Sequence, residues 1–107
     1  DMIISGGFNI YPSDLESVLR EHAGVAEVAV VGVPSARWGE RPVAFVVLES
    51  GSAATAGALL AWANARLGKT QRLAAVELLD HLPRSAIGKV MKRELREACR
   101  INAGPLA

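Results

Sequence analysis

Two long β-branched runs constrain this chain more than anything else in it. From Val43 to Leu48 the sequence Val-Ala-Phe-Val-Val-Leu has no polar residue, whereas a strand with one wet face alternates apolar and polar positions. Such a run fits a central strand with both faces covered. Val25 to Val33 is nearly as apolar after Glu27, and its valines favour extended backbone. A third run, Ala75-Val-Glu-Leu-Leu79, is stopped by Asp80 and Pro83.

Helical signals fill the gaps between these strands. Ser13 with Glu16 three residues on has the spacing of a capping box, and Asp14 suits the positive end of a helix. Leu15, Val18, Leu19 and Ala23 then form one apolar face ending near Gly24. A second helix follows Thr55, with Ala56, Leu59, Leu60, Ala63 and Leu67 on one side and Gly68 after it. A third follows Gly88, with Met91, Leu95 and Ala98 as its stripe and Lys92, Arg93, Arg96 and Arg100 around it. Residues 101–107 read as frayed. Ahead of everything, Met2-Ile-Ile-Ser is a short strand broken at Gly6-Gly7, and Phe8 to Tyr11 leads to Pro12. The segments Pro34–Glu40 and Lys69–Arg72 read as loops. The pattern predicts an α+β fold: a roughly three-stranded sheet flanked by helices, plus a short N-terminal hairpin.

Length and composition narrow the function. At 107 residues, half of them hydrophobic, the chain makes one small domain with a real core. It has no apolar run of about 18 residues, which argues against a membrane span, and no signal peptide pattern. The single cysteine, Cys99, allows no internal disulfide and points to a reducing compartment, and His22 and His81 are isolated, so no metal site is expected. Asp1-Met-Ile-Ile-Ser reads as the start of a fragment of something longer. The net charge of +1 hides an asymmetry: residues 1–50 carry three basic and seven acidic side chains, residues 51–107 nine basic and four acidic. A basic C-terminal half suits a phosphate-bearing partner, or simply a solvated helix face. The basic helix lacks interleaved aromatics, so nucleic acid is not expected.

Three places have residues suited to chemistry. Gly6-Gly7 reads either as a tight turn or as a spot where a slender ligand passes close to the backbone. Trp38, in Ser35-Ala-Arg-Trp-Gly39-Glu, reads as a core-edge or interface aromatic, or as flat apolar wall for a ligand. Lys89 follows a glycine in Arg84-Ser-Ala-Ile-Gly-Lys89. It reads as a solvated lysine at a helix start, or as a mobile cation that reaches developing negative charge. Cys99 reads as a small buried residue rather than a nucleophile.

Taken together, Ser5-Gly-Gly-Phe-Asn-Ile-Tyr-Pro-Ser-Asp-Leu-Glu16, the Trp38-Gly39-Glu40 element and the Lys89 segment resemble the C-terminal domain of the adenylate-forming acyl-CoA synthetases, over residues 1 to about 100. The resemblance implies that residues 1–107 are the mobile lid domain of an ATP-dependent acid–CoA ligase, of the branch acting on fatty or aryl acids. The N-terminal AMP-binding domain would be its partner, ATP/AMP, coenzyme A and Mg2+ its cofactors, and the cytoplasm its location. It implies that Lys89 serves acyl-adenylate formation. It implies that Gly7, with Ser5, Gly6 and Trp38, lines a passage for the pantetheine arm of coenzyme A, and that Arg72 meets the coenzyme's phosphates. In that last loop the chain departs from the family habit: Thr70 stands for an aromatic, Gln71 for a lysine, Leu73 for a proline and Ala74 for a basic residue, with Lys69 as a partial substitute. The rival expectations are a lid domain of an enzyme that loads a carrier protein, or a non-catalytic interaction module. By either route the fragment alone is expected to be inactive.

Overall fold

Strand β4 (Gly39–Leu48) explains the long apolar run, because it is covered on both faces and paired on both edges. The computed structural model describes residues 2–103, with side chains through Cys99. In order the elements are β1 (Ile3–Ser5), β2 (Phe8–Ile10), α1 (Pro12–Arg20), β3 (Val25–Ser35), β4, α2 (Ala56–Asn64), a 3-10 turn at Lys69–Gln71, β5 (Ala75–Leu78) and α3 (Lys92–Ala103).

One edge of β4 pairs antiparallel with β3 from Val25↔Leu48 to Ser35↔Gly39. Its other edge is shared. β5 runs parallel to it over Val43↔Ala75 to Val46↔Leu78, and β1 meets its start through Ser5↔Gly39. The β1–β2 hairpin extends the sheet from there, giving five strands: the expected three-stranded unit plus the expected hairpin.

Alternate residues feed two cores. Val28, Val30, Ala44 and Val46 join Leu15 and Leu19 of α1 and Leu59 and Ala63 of α2 on one face. Ala29, Val31, Val33, Val43 and Phe45 join Leu82 and, from α3, Leu95 and Cys99 on the other. Each of these valine, leucine or phenylalanine side chains buried in full contributes roughly 1.5–3 kcal/mol.

Several local expectations need correcting. The Ser13–Glu16 capping box does not form. Pro12 takes the first helical position, which its fixed φ suits, and Tyr11 caps without a side-chain bond. Glu16 turns inward instead. Helix α1 stops at Arg20, so Ala23 is exposed rather than on the apolar face. Strand pairing carries on through Ser35 and resumes at Gly39, which shrinks the expected Pro34–Glu40 loop to Ala36–Trp38. On α3 the buried partner of Leu95 is Cys99, four residues on, while Ala98 faces out. Of the segment expected to fray, Ile101–Ala103 is helical and 104–107 lie outside the described residues. Thr55 does cap α2, its hydroxyl accepting from the Ala58 amide at 3.1 Å.

Candidate functional site

The turn between β1 and β2 has two residues, Gly6 at φ +56° and Gly7 at φ +84°. Positive φ at both positions is the type I′ geometry whose twist matches a hairpin. Gly6 is constrained twice, since a Cβ there would lie 2.6 Å from Trp38 Cε3. Its amide also donates to the Trp38 carbonyl at 2.8 Å. Around Gly7 there is nothing within 4 Å of a Cβ, so its backbone is open to approach.

Trp38 closes the β3–β4 turn, its amide donating to Ser35 Oγ at 3.1 Å. The indole packs against Gly6, and two guanidinium groups stand near the ring, Arg37 at 4.9 Å and Arg41 at 5.8 Å from its centre. The residue stays 38% exposed. Such a ring offers a flat apolar surface with cations close by.

Beside it lies a cleft of about 310 Å³ lined by Ser5, Phe8, Ile10, Trp38, Arg41, Lys69, Thr70 and Arg72. Three stretches far apart in sequence supply these residues. Ser5, Trp38 and Arg72 are thus brought together, with Lys69 alongside; Gly6 and Gly7 are not among the lining residues. Three cations and no carboxylate face the space, a combination that attracts phosphate. Nothing in the local sequence marks Arg41, because on a strand only the fold says which way it faces. The loop bearing Arg72 is held by Asn64, which accepts from the Leu73 amide at 2.8 Å and donates to the Leu73 carbonyl at 3.0 Å. Leu73 itself fills the core beneath.

Lys89 lines a separate concavity of about 560 Å³ with Val90, Met91, Lys92, Arg93 and Arg96. The two hollows share no residue. The loop before Lys89 is a closed turn rather than a slack one. The Gly88 amide donates to the Ser85 carbonyl at 2.9 Å, the Ser85 amide to the Lys89 carbonyl at 2.8 Å, and Arg84 bridges to Val90. Gly88 sits at φ +85° as the turn requires, so its role is to allow that backbone conformation rather than to loosen the loop. Neighbouring cations are occupied: Lys92 Nζ lies 2.8 Å from Glu16 Oε2, and Arg96 Nε donates to the Gly32 carbonyl at 2.9 Å. Among the described residues Lys89 has no ion-pair partner.

Burial, and secondarily Glu77, push the Cys99 thiol up to about 11, so it stays protonated at neutral pH and is a poor nucleophile. Among the described residues no three His, Cys, Asp or Glu side chains converge. No helix among the described residues is long and apolar enough to cross a membrane.

A small α+β domain with a cationic cleft beside a glycine hairpin and a lysine on a separate turn defines a recognisable class. The chain matches the AMP-binding enzyme C-terminal domain family over residues 14–89 and belongs to it. It is 48% identical over 98 residues to a 4-chlorobenzoate–CoA ligase of Pseudomonas sp. (strain CBS-3), covering 91% of this chain and 19% of that protein. It is 44% identical over 96 residues to a 2-succinylbenzoate–CoA ligase of Geobacillus kaustophilus (strain HTA426), covering 90% and 20%. Among solved structures, apo MatB from Rhodopseudomonas palustris superposes with a TM-score of 0.89 at 40% identity, over 94% of this chain and 20% of that one. The chain thus spans about a fifth of the length of the relatives it matches.

Proposed function

We propose that this chain is the C-terminal domain of an ATP-dependent carboxylic acid–CoA ligase, acting on a fatty or aryl acid and working against an N-terminal AMP-binding domain of the same protein. The observation that carries the reading is the pair of separate hollows. One is apolar-walled and cationic; the other carries a lysine with no ion-pair partner among the described residues. A two-step reaction uses them in turn. The acid first reacts with ATP to give acyl-adenylate and pyrophosphate, and coenzyme A then attacks to give the thioester and AMP. In the first step Lys89 stabilises charge building on the α-phosphate and carboxylate, as a fixed cation rather than a proton donor. For the second, the domain reorients. Ser5, the exposed backbone of Gly6-Gly7 and the Trp38 face flank the pantetheine arm, while Arg72, with Lys69 and Arg41, meets the phosphates. Mg2+ belongs with residues outside this chain. The relatives named as ligases of aryl and fatty acids support the acid class, and an ATP-bound MatB with the same fold at 39% identity supports the nucleotide. No observation favours the carrier-loading or non-catalytic alternatives.

The test is Lys89→Ala in the full-length ligase, with the half-reactions followed separately. Adenylation should fall about 10²-fold or more, the scale of losing one well-placed electrostatic stabiliser. Thioester formation from supplied acyl-adenylate should stay near the wild-type rate. Wild-type adenylation, or equal failure of both steps, would remove Lys89 from this role.

A further inference from the structure

We infer that Arg84 is a positioning residue for Lys89, locking the turn that presents it, with Glu27 of β3 as its anchor. This rests on the reading of Lys89 given above. Arg84 stands at the base of the turn, opposite Val90. Its guanidinium is divided between two acceptors: Nη1 donates to the Gly88 carbonyl at 2.8 Å, and Nη2 pairs with the Glu27 carboxylate. One planar group thus ties the residue just before Lys89 to the edge of the sheet. Ser85 adds a second link, its Oγ accepting from the Lys89 amide at 3.3 Å. The far side of Lys89 is fixed as well, through Lys92 on Glu16. Lysine 89 therefore sits between two anchored points, while its own side chain is free of ion pairs among the described residues.

The placement of Arg84 argues against two other roles. It lines neither hollow, so the two cavities give it no ligand-facing role. The pair it makes with Glu27 is well exposed on both sides, and exposed pairs add little to folding. What the contact does control is where the backbone at 88–89 points. Ile87, at the tip of the same turn, is 88% exposed and supplies no packing that could hold the loop instead. A misplacement of about 1 Å in a catalytic group can cost on the order of 10²-fold in rate. A guanidinium that spans two acceptors fixes direction as well as distance, which a lysine cannot match.

The test compares half-reactions in the full-length ligase. Arg84→Gln should lower the adenylation rate about tenfold, leave thioester formation from supplied acyl-adenylate within about twofold of wild type, and leave the melting temperature unchanged. Glu27→Gln, which keeps the Gly88 contact but frees Arg84 from the sheet, should give a smaller loss in the same step. In a Lys89→Ala background, Arg84→Gln should cost nothing further, because its effect passes through the lysine. Full adenylation by Arg84→Gln, equal slowing of both steps, or an undiminished loss on the Lys89→Ala background would each overturn the assignment. If Arg84→Gln does not fold, Glu27→Gln decides: a selective adenylation loss supports the anchor, and none refutes it. Should Lys89→Ala itself adenylate normally, the reading of Lys89 falls and this inference with it; should Lys89→Ala fail while Arg84→Gln does not, only the inference falls.

Discussion

Adjacent glycines in the first turn have different reasons to be glycine. At Gly6 a methyl group would meet the backbone penalty of positive φ and also the indole of Trp38 at 2.6 Å. At Gly7 only the backbone penalty applies, since the space is empty. The left-handed conformation costs an ordinary residue roughly 1–2 kcal/mol. Gly7→Ala should therefore destabilise the 107-residue chain by about that amount in urea unfolding. Gly6→Ala should cost distinctly more and should also move the tryptophan fluorescence as Trp38 shifts. Equal losses at the two positions would show that the indole yields freely. Since Gly7 is open to approach and Gly6 is filled by the protein's own ring, the pair splits the labour: one position holds Trp38 and the other leaves room.

At the scale of elements, the free edge of β3 is the exposed flank of the sheet, and side chains from both faces close it. Glu16 of α1 accepts from the Val30 amide at 2.9 Å, and Arg96 of α3 donates to the Gly32 carbonyl. Lys92 of α3 then joins Glu16, so the helices on opposite faces are tied across the strand edge. Unpaired edges invite pairing with other chains, and this lattice of side chains blocks that. Glu16→Leu leaves the Val30 amide without a partner and should destabilise the chain by about 1–3 kcal/mol, the cost of one buried orphan donor. Glu16→Gln keeps an oxygen for that amide and loses the pairing with Lys92 and the longer, exposed one with Arg20 at 3.8 Å. Because Lys92 is a quarter exposed and can turn to water, that loss should stay below about 1 kcal/mol. Thermal unfolding of the two variants separates the terms; a larger loss for Gln than for Leu would mean the charge pair outweighs the amide.

Across the whole molecule, two cores sit on one five-stranded sheet, while the two hollows are shallow and open on the domain's surface. The domain has two cores to fold around, and among the described residues neither of these hollows is enclosed enough to hold an acid and a nucleotide together. The isolated chain should unfold cooperatively yet release no AMP when incubated with ATP, coenzyme A and a panel of fatty and aryl acids. Turnover by the isolated chain would mean that the reaction needs no second domain.

Much of this is legible in the sequence. The continuous apolar run Val43–Leu48, and Val28–Val33 after Glu27, point to strands covered on both sides, because a strand with one wet face alternates apolar and polar residues. Thr55 marks a real boundary, since caps are set by local chemistry, whereas Gly88 marks a left-handed turn: α3 begins only at Lys92, so Met91 lies ahead of the helix rather than on its apolar stripe. The sequence by itself also determined the family, because the segments ending at Glu16, Glu40 and Lys89 keep their residues in order. Local rules failed where a distant partner outbid them. Glu16 left its expected cap for a β3 amide and Lys92, and Cys99 displaced Ala98 from the core because the sheet lies on that side of α3. The cleft is the clearest case. Ser5, Trp38, Arg41 and Arg72 share no local pattern, and only the pairing of β1 and β3 with β4, and the clamp of Asn64 on Leu73, bring them to one place. Strand contacts and loop anchors are long-range, so their geometry is decided by tertiary structure alone.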